Sequence, residues 1–335
     1  MKVEDIKWYS PLEFFVGAIL SFADPITDIL TLVEFYRTDH KTWFGVGLTF
    51  VLLPCLVSPA LFLVFRRDDA NYSSSLYAKT AFCAFHPFSA AFARIEALIF
   101  CLKIWWFGND EIDDDAYDKA ENLLDHIAFA VLFEAVLESA PQFIIQLYAI
   151  SVQEEPAAII QMISLPVSFL TLAWAFTKTD ERTLVLRNII SKSSDLKVKH
   201  KVALYLTHLL LLSSRLFAIC YFTVSYKWWV IGVLSFHSCP VVIAILIMKR
   251  GIKYVFLIIL FMGIHSLRDD ASAFFADADS KGVSLIVLLS QFLFLVENYF
   301  MILMFYFNDY VKTWYSIPVT VCVCVFSVLG STMRI

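Results

Sequence analysis

Long apolar runs broken by short polar stretches dominate the chain, and their lengths set the first expectation. A helix needs about 20 residues to cross roughly 30 Å of hydrocarbon. Ten stretches are candidates: Phe14–Tyr36, Trp43–Phe65, Ala81–Phe107, Asn122–Ile150, Ala157–Phe176, Val202–Tyr226, Trp228–Met248, Tyr254–Leu267, Val283–Phe307 and Thr313–Leu329. The first carries its own start signal, with Ser10 as cap, Pro11 at the first helical position and Glu13 reaching back as in a capping box. A helix is therefore expected from about Pro11.

The polar positions between the runs give orientation, because loops kept in the cytoplasm are enriched in Lys and Arg. Residues 177–201 hold Lys178, Arg182, Arg187, Lys192, Lys197, Lys199 and Lys201. Arg66, Arg67 and Lys79 form a second basic cluster, and Lys249, Arg250 and Lys253 a third. The connection Ser151–Pro156 has two Glu and no basic residue, which places it outside. Ten full crossings violate these markers. They agree once the third and eighth runs enter and leave on the cytoplasmic side. Tyr254–Leu267 is too short to span comfortably, and His86-Pro87, Arg94, Glu96 and Lys103 interrupt the third run. Charged or non-helical backbone at depth is tolerated where it is buried in protein or faces water. The expected fold is an all-α polytopic membrane protein with eight transmembrane helices, two re-entrant helices and both termini cytoplasmic.

That arrangement repeats. Residues 1–176 and 202–335 each read as two spans, a re-entrant piece (near 81–107 and near 254–275) and two more spans, joined by the basic cytoplasmic linker 177–201. An even number of crossings per half predicts two parallel, pseudo-symmetric halves related by an axis along the membrane normal. Glu138 and Glu297 both fall in the fourth element of their half.

Composition narrows the function classes. Of 335 residues, 59% are hydrophobic and 17% charged, with mean hydropathy +0.71, against about half apolar and about a quarter charged in soluble domains. A net charge of -5 offers no basic face for nucleic acid. With 9 Gly in the chain, small-residue packing is not expected to be the main assembly device. The seven cysteines lie in or beside apolar runs without a C-x-x-C pair, and read as buried thiols. No cleavable secretory signal is expected. The chain shows no Gly-rich phosphate loop, nucleophile elbow or zinc-protease helix motif, so the expectation is a non-enzymatic protein without a cofactor. Asp113-Asp114-Asp115 and Asp277-Ala278-Asp279 have acid spacing alone, and no metal site is assigned to them. The sequon Asn71-Tyr72-Ser73 falls on the cytoplasmic side and should stay unmodified.

The chemistry lies in the ionisable residues at depth. A charged side chain at a helix centre costs about 2.5 to 3.5 kcal/mol on insertion scales, so it persists when paired, hydrated or functional. Asp24 and Asp28 share one face of the first run around Pro25. Glu134, Glu138, Gln142 and Gln146 recur at four-residue steps, a polar stripe winding slowly along the helix, with Pro141 loosening the backbone beside it. Arg215 lies one heptad beyond His208, and Glu297-Asn298 fall in the ninth run. Any single such residue reads equally well as half of a structural ion pair. As a set, Asp24, Asp28, Glu96, Glu134, Glu138 and Glu297 outnumber Arg94 and Arg215, so pairing alone does not neutralise them. A hydrated, acid-lined groove would suit a substrate with a positive head, such as a choline or ethanolamine phospholipid, with Arg94 and Arg215 toward its phosphate. The rival readings are a solute transporter or ion channel, and a non-transporting scaffold for a lipid-transfer protein.

The run Leu137-Glu138-Ser139-Ala140-Pro141-Gln142-Phe143-Ile144-Ile145-Gln146-Leu147-Tyr148 resembles the signature segment of the XK-related family. Asp24-Pro25-Ile26-Thr27-Asp28, Arg94-Ile95-Glu96-Ala97-Leu98, Ser214-Arg215-Leu216 and Glu297-Asn298 are similar to further family segments, and the likeness covers essentially the whole chain. The resemblance implies a plasma-membrane phospholipid scramblase that moves lipids between leaflets without ATP and exposes phosphatidylserine in apoptosis. It also implies a fold of eight spans and two re-entrant helices. It places Asp24, Asp28, Arg94, Asp125, Glu134, Glu138 and Arg215 on a stepped lipid path, with Asp180 and Arg182 at its cytoplasmic mouth. Gln142 and Glu297 join that path from the stripe and the ninth run. The partners implied are a single-span immunoglobulin-like chaperone or a bulk lipid-transfer protein. Several relatives are switched on when a caspase removes a cytosolic tail, and no such tail is expected after Ile335. Asp110-Glu111-Ile112-Asp113 reads like a caspase recognition sequence with cleavage after Asp113, or as a solvated acidic loop.

Overall fold

The computed structural model describes residues 9–66, 88–107, 131–132, 134–186, 196–236, 281–308 and 313–334, and every regular element among the described residues is helical. The elements are α1 (Ser10–Arg37), α2 (Lys41–Arg66), α3 (Ser89–Phe107), a π-helical turn (Ala135–Ser139) running into α4 (Ala140–Val152), α5 (Ile159–Leu186), α6 (Val198–Tyr226), α7 (Lys281–Tyr306) and α8 (Ser316–Arg334). Among the described residues five helices are long and apolar enough to cross a membrane: Ser10–Arg37, Ala135–Val152, Ile159–Glu181, Val198–Tyr226 and Ser316–Met333. Lys41–Val57 and Phe292–Tyr306 are shorter apolar helices. The chain is a multi-pass, all-helical membrane protein. The re-entrant piece expected near 254–275 and most of the run Trp228–Met248 lie outside the described residues.

Helix α1 has polarity inverted relative to a soluble helix. Leu12, Phe15, Ile19, Ile26, Ile29, Leu30 and Val33 are exposed, while Ser21, Asp24, Asp28 and Thr31 are buried. Lipid is the solvent that suits such an outside. Its start differs from the expected capping box: Tyr9 occupies the cap position, its carbonyl accepting from the Glu13 N–H at 3.0 Å, and Ser10 already belongs to the helix. The Glu13 carboxylate is engaged by Lys178 and Lys201. The helix ends in a Schellman motif, in which the Asp39 N–H donates to Tyr36 (3.3 Å) and the His40 N–H to Phe35 (2.9 Å). Asp39 takes the required left-handed conformation, φ 61°.

The π turn before α4 follows from Pro141. Proline has no N–H for the carbonyl four residues back, so the ladder slips, and the Ala140 N–H donates to Ala135 five residues back. One extra residue in the turn lowers the rotation per residue. The bearing of Glu134 relative to Glu138 therefore differs from that in an α-helix.

The chain forms two compact units. One comprises Met1–Gln142 and Ala158–Val202, the other Phe143–Ala157 and Ala203–Ile335. In the first, α1 packs against α2, α3 and α5, and the π turn against α2 and α5. Its core is built largely of small residues, with Ala91, Ala93, Ala140, Ala173 and Ala175 nearly inaccessible. Close helix approach thus does operate here, using Ala and Ser where Gly is scarce. The second unit is centred on Ile219 and Phe222 of α6, Met301, Ile302 and Phe305 of α7, and Val323 of α8. Tyr221 packs on Phe305, with ring centroids 5.1 Å apart. The five described cysteines are free thiols; Cys101 and Cys220 are buried, and Cys55, Cys322 and Cys324 partly so.

Candidate functional site

In the first unit polar residues of α3, α5 and the π turn converge on α1. Asp24 accepts a hydrogen bond from the Ser139 hydroxyl at 2.7 Å, which ties α1 to the π turn. Asp28 accepts from Ser164 at 2.7 Å and Ser168 at 3.1 Å, both on α5. Arg94 of α3 crosses the face of α1 where Gly17 leaves room. Its guanidinium donates to the Gly17 carbonyl at 2.6 Å and to the Ser21 hydroxyl. A Cβ at residue 17 would stand 3.1 Å from the Arg94 side chain. Gln142 uses the same device on α2, donating to the Gly47 carbonyl at 2.7 Å.

Charge in this cluster does not balance. Asp24, Asp28, Glu134 and Glu138 are at most 2% exposed, and Arg94, equally buried, is the cation among them. Glu134 lies within electrostatic range of Arg94, Asp24, Glu138 and Asp28, and neither of its carboxylate oxygens meets a hydrogen-bond donor among the described residues. Neutral hydroxyls serve the acids where cations would in a structural network. The sequence argument asks for water or a cation beside the surplus acids. Among the described residues one guanidinium and three serines lie beside the set, and all four acids are buried.

In the second unit the buried charges among the described residues are one of each sign. Arg215 of α6 lies 2.9 Å from Glu297 and 2.8 Å from the Asn298 side-chain oxygen, both on α7. Its guanidinium stands 4.7 Å above the Phe294 ring. Asn298 donates to Ser214 at 3.2 Å, and Ser214 meets Ser327 of α8. Arg215 and Glu297, both read from the sequence as path residues, are thus partners of one another.

Of the other sequence candidates, Glu96 is exposed on α3 and does not belong with the buried acids, because two residues along a helix from Arg94 points it to the far side. Gln146 is buried in the second unit. Asp180 is half-buried on α5. Asp125 and Asp113 lie outside the described residues.

The sequence reading passed over two groups. Ser139, Ser164 and Ser168 were invisible as acid partners because serine is common in membrane helices, although Ser164, Ser168 and Thr171 recur at helical spacing in an otherwise apolar run. A network of Glu13, Lys178, Glu181 and Lys201 joins the start of α1, the far part of α5 and the start of α6. Only the fold brings these positions together.

A family model described as XK-related protein matches residues 12–335. XK-related protein 9 of Tetraodon nigroviridis is 24% identical over 187 residues, covering 52% of this chain and 48% of that protein. The match therefore spans about half the length of that relative.

Proposed function

The chain belongs to the XK-related family, and from that membership we propose that it is a phospholipid scramblase, moving lipids in both directions between leaflets without ATP. The observation that carries this reading is the buried surplus of acid along α1 and the π turn, four carboxylates and one guanidinium among the described residues, on a helix whose outer face is apolar. Burying a zwitterionic headgroup in hydrocarbon is the barrier to lipid exchange. A strip of carboxylates, hydroxyls and one guanidinium offers partners for the ammonium and the phosphate in turn, while the acyl chains stay in lipid. No bond is made or broken. Asp24, Asp28, Arg94, Glu134, Glu138 and Gln142 form the core of that strip, and Asp125, Arg215 and Glu297 complete the set of residues proposed to contact lipid.

The finer architecture belongs to the same proposal: eight spans and two re-entrant helices in pseudo-symmetric halves, 1–176 and 202–335, joined by 177–201, with both termini in the cytoplasm of the plasma membrane. Exposure of phosphatidylserine in apoptosis would be the physiological output. A single-span immunoglobulin-like chaperone or a bulk lipid-transfer protein would be the partner, and a caspase acting after Asp113 a trigger.

The test is purified protein in liposomes with leaflet-selective quenching of labelled lipid. Headgroup-indifferent exchange above empty vesicles supports the proposal. Saturable solute uptake or ionic current in place of exchange replaces it with a transporter or channel, and silence in all three leaves a scaffold.

A further inference from the structure

Helices α1 and α5 meet along a seam that is polar over most of its length. The two run antiparallel. Asp28 takes Ser164, Ser168 lies between Asp28 and Asp24, and the same register sets Thr171 opposite Ser21. Ser21, Asp24, Asp28, Ser164, Ser168 and Thr171 are all at most 2% exposed. Further along, Glu13 of α1 meets Lys178 of α5. From Glu13 to Thr31, α1 is about 27 Å long, close to the roughly 30 Å of a bilayer core. One continuous polar face thus spans nearly the whole hydrocarbon, and α5 covers it.

The end of the seam at Glu13 is built differently from its middle. Lys178 also pairs with Glu181 at 2.9 Å, and Lys201 reaches Glu13 and Glu181 at 3.4 Å each. Lys178 stands over Trp174 and Lys201 over Tyr9. Two lysines and two glutamates balance, and their side chains are 5 to 19% exposed. The middle holds acids against hydroxyls, which exchange one hydrogen bond for another at small cost. The end holds a four-charge clasp.

We propose that α1 and α5 part to admit a phospholipid headgroup, that Ser164, Ser168 and Thr171 contact it together with the acids of α1, and that the Glu13–Lys178–Glu181–Lys201 clasp is the lock. This rests on the scramblase reading above. Hydroxyls that donate to Asp28 in the closed seam can turn to the phosphate oxygens of an entering headgroup while its ammonium takes the carboxylate, so opening leaves neither charge without a partner. The partly exposed clasp is the portion that salt can reach and screen.

The experiment uses the full chain in liposomes, scored by leaflet-selective quenching. In E13C/K178C, oxidation with the cross-link verified by peptide mass should abolish exchange, and reduction of the same sample should restore it. S164A/S168A should slow exchange about tenfold, whereas M162A, on the exposed face of α5, should not. E13Q and raised salt should each speed it. Unchanged exchange in the cross-linked protein overturns the seam as the opening while leaving the scramblase reading in place. Wild-type liposomes that exchange lipid no faster than empty ones overturn both.

Discussion

Around Asp24, Asp28, Glu134 and Glu138 the protein supplies one guanidinium, three serine hydroxyls and no second cation among the described residues. Arg94 is therefore the residue on which this cluster's electrostatics turn, and one nitrogen of its guanidinium serves both the Gly17 carbonyl and the Ser21 hydroxyl. Arg94→Gln should destabilise the detergent-solubilised protein by about 3 to 5 kcal/mol, the range for removing one partner of a buried ionic set, read as a lowered thermal midpoint. Arg94→Lys, which keeps the charge but carries it as a more strongly hydrated ammonium, should recover part of this. The pair in the second unit, Arg215 with Glu297, has one charge of each sign and the character of a structural tie. Counting Asp24, Asp28, Glu96, Glu134, Glu138 and Glu297 against Arg94 and Arg215 gives an excess of acid. It could not assign the surplus to one unit, because pairing depends on which helices touch.

Two helix ends and one helix defect show how local backbone chemistry shapes the larger parts. Asp39 closes α1 at φ 61°, a conformation that glycine adopts without the side-chain penalty. Asp39→Gly should raise stability by about 1 kcal/mol, measured by chemical denaturation in detergent, the loss of the exposed contact to Lys41 notwithstanding. The π turn at Ala135–Ser139 is a defect that sets the bearing of Glu134 against Glu138. Pro141→Ala restores an N–H, so the ladder should return to α-helical pairing and change the bearing of one glutamate relative to the other. The expected outcome is slower lipid exchange without a lower thermal midpoint. The stripe Glu134, Glu138, Gln142 was legible from its four-residue steps, and Pro141 from its lack of a donor. The slip to a bond five residues back was not, since the sequence names the missing donor without showing how the ladder reroutes. Ser10 misled for a similar reason: one residue of shift at a helix start decides which side chain caps it.

For the whole molecule, hydropathy carried the all-helical, membrane-spanning architecture, because the length needed to cross a bilayer is a hard physical limit. The clasp of Glu13, Lys178, Glu181 and Lys201 was beyond it, as two of its members are separated by most of the first unit. The proposed orientation rests on the basic linker 177–201. An acceptor sequon placed at Ser151–Pro156 should accordingly gain glycan in cells while Asn71 stays bare, seen as a glycosidase-sensitive shift in gel mobility. That the buried acids of the first unit line the way a headgroup takes can be measured as lipid exchange in liposomes under leaflet-selective quenching. The protein should exchange labelled phospholipid faster than empty vesicles, and Glu138→Ala should slow it severalfold, while Ile26→Ala on the lipid-facing side of α1 leaves it near wild type. Equal rates for Glu138→Ala and Ile26→Ala would contradict the claim.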